Sequence, residues 1–242
     1  MYKKTITAII LGSFSTLSFA DMGFDFKGDF TYGKNDTTGS IENNSLDKDL
    51  GIEKSEIAGL SIAFEHFVPI LPNFKWELSE YSEKNQNSNS NGSFDNNIMF
   101  STNDYTGYQL RTNDLIGYYE ILDEFVWLSL DLGIGYTMTD GYIQIEEEDY
   151  DLDENYASGY ISTQLNFPRT NWYVGVDYKE GINTDNKYNN TRGYLGYISK
   201  DDLFNMGIRV GYNYSNNEFH NELGDIEIEN KGPYIALNYH FF

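Results

Sequence analysis

Three histidines, His66, His220 and His240, are the side chains best suited to move a proton near neutral pH, and the chain holds no others of their kind. A hydrolase or acyltransferase would need one of them beside a carboxylate and a nucleophile or water. His220 has the nearest company, with Glu218 and Glu222 close in sequence. It falls in a stretch expected to be a long loop, where little would hold a general base in place. His66 and His240 end alternating segments and read as polar groups at strand ends. No catalytic residue is assigned, and the expectation is that the chain is not an enzyme.

The run Glu146, Glu147, Glu148, Asp149, Asp151, Asp153, Glu154 is the second candidate, through oxygen chemistry that suits Mg²⁺ or Ca²⁺. Asp149-x-Asp151-x-Asp153 begins like a calcium loop, but Glu154 occupies the position that needs Gly and Tyr160 the position of the bidentate Glu. The match fails where it is strictest, so no metal ligand is assigned and no cofactor is expected. The reading left to this loop is weak sharing of divalent cations. The chain has no Cys, which removes thiolate metal sites, a Cys nucleophile and a lipidated cysteine. The formal charge is −22, and removal of a leader carrying Lys3 and Lys4 would make it −24. Such acidity repels phosphates and excludes nucleic acid as a partner.

The elements that would position these groups are strands. Residues 1–20 read as an export signal: Lys3 and Lys4, an apolar stretch from Ile6 to Leu17, then Ser18-Phe19-Ala20. The exported part is residues 21–242. Within it, Val126, Leu128, Leu130, Leu132, Ile134, Tyr136 and Met138 alternate with Ser129, Asp131, Gly133, Gly135 and Thr137. A period of two places one face in an apolar medium. Phe204–Tyr214 and Trp172–Tyr178 repeat the pattern, Ile161–Phe167 follows it, and weaker copies lie at 24–32, 57–67, 74–81, 108–122, 188–198 and 232–242. These make ten strands, or eight if 24–32 and 188–198 do not span.

The connections alternate in length. Long ones are expected at 33–56, 82–107, 139–155, 180–187 and 215–231. Short ones are expected at Val68–Asn73, Asp123–Glu124, Pro168–Asn171 and Ser199–Asp202. Short turns on one side and long loops on the other are the pattern of outer-membrane barrels. The expected fold is therefore all-β, a closed antiparallel up-and-down transmembrane β-barrel, with both termini in the periplasm. Trp76, Trp127 and Trp172 each follow a short turn closely and suit a membrane-interface girdle, with Trp127 on the polar parity of its strand. The Asn/Ser stretch from Asn85 to Ser93 reads as a mobile external loop. Aromatic residues make up 17% of the chain, and it ends in Phe241-Phe242. A terminal Phe242 on such a strand is what the barrel assembly machinery would bind.

Two segments, Glu65-His66-Phe67-Val68-Pro69-Ile70-Leu71-Pro72-Asn73 and Tyr118-Tyr119-Glu120-Ile121-Leu122-Asp123, resemble a family of small proteobacterial outer-membrane β-barrel proteins with a GlyGly-type signature. The resemblance implies a barrel in the outer membrane of a Gram-negative bacterium. It implies no settled activity and supplies no catalytic residues. This chain departs from the family in having Phe67 where a Pro is expected.

The inward parity carries charges of both signs, among them Lys27, Asp29, Lys75, Glu77, Asp131, Lys179 and Arg209. An interior of eight to ten strands is largely filled by such side chains, so a plugged lumen is expected. Asp131 and Arg209 are expected to have interior partners, because an unpaired buried charge costs several kcal/mol. The first functional reading is a monomeric, non-enzymatic envelope or surface-interaction protein in contact with outer-membrane lipid and lipopolysaccharide. A narrow channel for small solutes, cations being favoured by the inward acids, is the alternative, and a barrel enzyme acting on lipid or peptide through His220 the third.

Overall fold

The computed structural model describes residues 24–68, 70–94, 98–125, 127–182, 187–199 and 204–241. The signal at 1–20 and Phe242 lie outside them. Ten long strands follow one another: β1 (Phe24–Ile41), β2 (Lys54–His66), β3 (Asn73–Asn87), β4 (Tyr105–Phe125), β5 (Leu128–Ile145), β6 (Glu154–Asn166), β7 (Trp172–Ile182), β8 (Tyr188–Ile198), β9 (Phe204–Asn221) and β10 (Gly224–Phe241). Each pairs antiparallel with its sequence neighbours. The sheet closes where β1 meets β10, with Phe26 opposite Phe241 and Tyr32 opposite Ile235. The result is a closed up-and-down barrel of ten strands, and the eight-strand alternative is set aside. The end that carries Phe24 and Phe241 is called the base, and the opposite end the head.

Several strands are far longer than a bilayer requires. β4 has 21 residues and β1, β5, β9 and β10 have 18 each, against about 9–11 for a tilted crossing. Much of 33–56, 82–107, 139–155 and 215–231 is therefore strand and not long loop. The clearest correction is at 215–231, where β9 and β10 pair from Asn221 and Gly224 downward and leave only Glu222 and Leu223 as the turn. His220 accordingly lies on a strand and not mid-loop. At the base, the Asp123–Glu124 turn shifts: β4 continues to Phe125, and Trp127 is a turn residue with φ of 73° and 51% exposure.

The longer strands escape the sequence pattern because their apolar face changes side. On β10, Ile235 and Leu237 face outward, whereas Ile226 and Ile228 are buried inside. On β5, Leu132, Ile134, Tyr136 and Met138 face outward, and Ile143 and Ile145 inward. On β9, Ile208 and Val210 face outward and Phe219 inward. A strand keeps its alternation, so such a reversal means that the medium around the barrel changes along its axis.

In the head, the inward residues form one apolar core with the connections folded over the mouth. Ile57, Tyr108, Leu110, Ile143, Phe219 and Ile228 come from the strands. Leu46, Leu50 and Ile52 come from the β1–β2 connection, Phe94 and Phe100 from the β3–β4 connection, and Leu152 from the β5–β6 connection. At about 1.5–3 kcal/mol for each fully buried aliphatic side chain, this core holds the connections in place. Polar bonds tie them together as well. The Asn89 amide donates to the Asp49 carbonyl at 2.7 Å, Ser90 Oγ donates to Asp49 at 2.8 Å, and Thr106 Oγ1 donates to the Leu50 carbonyl at 2.8 Å. The Asn85–Ser93 stretch is thus folded, with Ser88 buried and Gly92–Ser93 paired to Met99–Phe100. Gly39 of β1 has φ of +137°, and a Cβ there would stand 2.0 Å from the Glu227 carbonyl oxygen. Only glycine permits that approach of β1 to β10.

Candidate functional site: a sealed lumen above a blind polar cavity

Inside the barrel, three layers follow from base to head. The lowest is a cavity of about 510 Å³ that reaches all the way round the wall, from Lys27 and Glu65 to Asp131, Asp177, Arg209 and His240. Tyrosines hold its walls apart by lying on glycines. Gly175 pairs with Tyr194 and Gly196 with Tyr173 across β7 and β8, and a Cβ at either glycine would lie within 2.5 Å of the facing ring. The smallest residue on one strand makes room for a large flat one on the next, and both rings line the cavity.

The middle layer is a charge cluster that joins opposite walls. Glu77 of β3 accepts from Lys179 Nζ of β7 at 2.8 Å and from Arg192 Nη1 of β8 at 3.1 Å. Lys179 also contacts the Asp114 carboxylate of β4, which accepts in turn from Thr137 Oγ1 at 2.5 Å. Arg192 Nη2 donates to Ser79 Oγ at 2.8 Å, and Lys75 Nζ lies 3.5 Å from Glu77. These side chains are almost wholly buried. Removed from water, each must be paired to remain charged.

The top layer begins with hydroxyl and amide contacts. Asn230 Nδ2 donates to Tyr108 Oη at 2.8 Å, and Thr37 Oγ1 donates to Asn230 Oδ1 at 2.9 Å. Above it stands the apolar head core. The lumen is therefore crossed twice, by the salt bridges that the inward charges had implied and by a hydrocarbon core that they had not.

The outer face mirrors this order. Around the base half it is apolar, with Ile134 72% exposed and Leu115 and Val210 near half exposed. Phe24 stacks on Phe64 at a ring distance of 5.4 Å, Phe26 is tilted against it at 5.1 Å, and Trp172 meets Tyr197 at 5.2 Å near the base rim. Toward the head, the same face becomes ionic. Arg111 of β4 bridges Glu80 at 2.8 Å and Asp140 at 3.8 Å, and Lys34 lies 3.8 Å from Glu56.

The residues singled out in the sequence separate. His66 secures the first base turn: its Nδ1 accepts from the Val68 amide at 3.3 Å, leaving Nε2 to donate to the Pro72 carbonyl at 3.1 Å. His240 lies at the cavity mouth, 3.5 Å from Asp25. His220 Nδ1 lies 2.7 Å from Asp225, its partner across the hairpin, while Glu218 pairs with Lys187 at 2.7 Å. His220 and Asp225 are both exposed. The partner Asp225 follows from the hairpin register and was not visible from sequence neighbours alone. The 146–154 run is split by strand Glu148–Asp151, which pairs back onto Tyr142–Ile145 and turns Tyr150 and Leu152 inward. Among the described residues no group of three or more His, Asp or Glu side chains converges as a metal site would. Arg209 pairs with Asp29 as expected. Asp131 differs: among the described residues it accepts no hydrogen bond, and it faces the cavity with Glu120 directly opposite on β4.

No family model matches the chain, and no curated protein matches it. Among solved structures, Neisserial surface protein A aligns at 10% identity over 90% of this chain and 96% of that chain, with a TM-score of 0.39. The outer membrane protease OmpT from Escherichia coli aligns at 12% identity over 94% and 99%, with a TM-score of 0.42. The toluene transporter TodX from Pseudomonas putida aligns at 11% identity over 93% and 91%, with a TM-score of 0.34. They differ in what their names describe, and at these values none lends this chain an activity.

Proposed function

We propose that this chain is an integral outer-membrane β-barrel protein, non-enzymatic, with a sealed lumen and a rigid acidic head serving envelope structure or surface contact. The observation that carries the reading is the reversal of the apolar face along β5, β9 and β10. The base half is greasy outside and polar inside, which suits hydrocarbon around it. The head half is ionic outside and apolar inside, which suits water. Export, the short base turns and the aromatic base rim support an orientation with the termini in the periplasm and the head outside the cell. The His66 turn supports kinship with the small GlyGly-type barrels. Its partners would be lipid, lipopolysaccharide and the barrel assembly machinery, and the chain would act as a monomer.

The double block of the lumen favours this reading over the narrow channel. Reconstitution in planar bilayers is expected to give a silent membrane, with the protein resistant to carbonate extraction from outer-membrane fractions. Stable unitary conductance would overturn the sealed lumen. A processed chain that is monodisperse in detergent-free buffer would overturn the membrane assignment.

A further inference from the structure

We propose that the base cavity binds a small organic ammonium ion. The cavity, about 510 Å³, opens toward the base and is closed above by the charge cluster. That volume lies in the ordinary range for small-molecule sites, about 300–1,000 Å³.

Its own cations are already matched. Lys27 Nζ lies 2.5 Å from Glu65, Arg209 contacts Asp29, and Lys75 lies between Glu77 and the Tyr160 hydroxyl. Among the described residues Asp131 accepts no hydrogen bond, and it shares Lys27 with Glu65 and Glu120, so that five lining carboxylates (Asp29, Glu65, Glu120, Asp131 and Asp177) face three cations. Asp131 stands opposite Glu120 in the β4–β5 ladder, and both carboxylates face the cavity. Like charges directly opposite on a sheet cost stability, and a guest cation beside Lys27 adds to the neutralisation of this pair.

The aromatic walls fit the same guest. Arg209 already lies over the Tyr194 ring at 4.9 Å and Lys75 over the Tyr160 ring at 5.1 Å. The cavity thus twice uses ring faces to hold a cation, a contact that strengthens when water is excluded. A bare metal ion fits poorly. It needs several oxygens within about 2.6 Å, and no such convergent group exists among the described residues. A diffuse carboxylate pair in a roomy, tyrosine-lined chamber matches an alkylammonium, which takes its charge at one end and hydrocarbon contact along its body.

The test is isothermal titration calorimetry of the full processed protein folded in detergent micelles, which does not depend on the medium around the barrel in the cell. The probe is putrescine, with succinate, glucose and MgCl₂ titrated separately. Putrescine is expected to give saturable heat with one site per barrel, and succinate and glucose none. Asp131→Asn and Glu120→Gln, each checked for the folded band on unheated gels, are expected to weaken binding at least tenfold. Glu227→Gln on the outer head is expected to leave it unchanged. No saturable heat with putrescine, undiminished binding in both cavity variants, or binding of MgCl₂ alone would each overturn the proposal.

Discussion

Glu77 and Lys179 are 102 residues apart in sequence, yet their carboxylate and ammonium groups stand 2.8 Å apart and join β3 to β7 through the middle of the barrel. With Asp114 and Arg192 the pair forms a strut between walls that share no backbone hydrogen bond. Replacing one member strands the others in a dry site. Lys179→Met is expected to cost about 3–5 kcal/mol, the usual penalty for breaking a buried ion pair from one side. Urea unfolding in lipid vesicles measures it. Conductance should remain silent in this variant, because the head core still closes the mouth.

The head core has its own signature. Leu50 is fully buried on the connection between β1 and β2. Leu50→Ala should cost about 2–5 kcal/mol within the head. Hydrogen exchange should show faster opening of amides at 42–53, 88–94 and 98–104, while base amides on β6–β8 keep their protection.

The change of medium along the axis can be read by placing one charge on each side of it. Ile134→Arg, in the apolar belt, is expected to destabilise the vesicle-embedded protein by about 2–4 kcal/mol. Glu227→Arg, on the ionic face of the head, should fall within about 0.5 kcal/mol of the parent. Equal effects for the two would mean that no hydrocarbon surrounds the belt.

The acidic turn of the head should respond to pH. Asp104 raises the Glu146 carboxyl above its ordinary 4.5, through charge repulsion and through a hydrogen bond that favours the protonated form. The folded protein therefore holds this proton more tightly than the unfolded chain. The stability it contributes is complete below the unfolded pKa and is lost as pH rises through the folded one. Glu146→Gln is expected to raise the melting temperature at about pH 7 and to leave it unchanged below the carboxylate range. A scan at both pH values checks the sign.

Strand count, base turns and interior polarity were legible because Leu130, Ile208 and their like repeat on a single parity, and because the base turns are short. The head was not legible. Ile226 and Ile228 occupy the parity opposite to Ile235 and Leu237, so a search for one greasy face discards them and leaves a loop. The usable signal is the phase change itself: Ile143 and Ile145 after Leu130–Met138, and Phe219 after Ile208–Tyr212, shift by one position within an unbroken strand. The His220–Asp225 contact was hidden for the same reason, since its register depends on a hairpin that the single-phase reading dissolves. The cavity was only half visible. The charges Asp131 and Arg209 could be assigned to the interior, but which of them would find a partner depends on neighbours brought together by ring closure.

The phase change also dictates an order of assembly. Leu50, Phe94, Leu152 and Leu223 cannot meet until every hairpin tip has been delivered to the same aqueous side. A chain with only some of its hairpins in place therefore leaves the greasy undersides of those tips with nothing to cling to. The dome is therefore the last part of the barrel that can close.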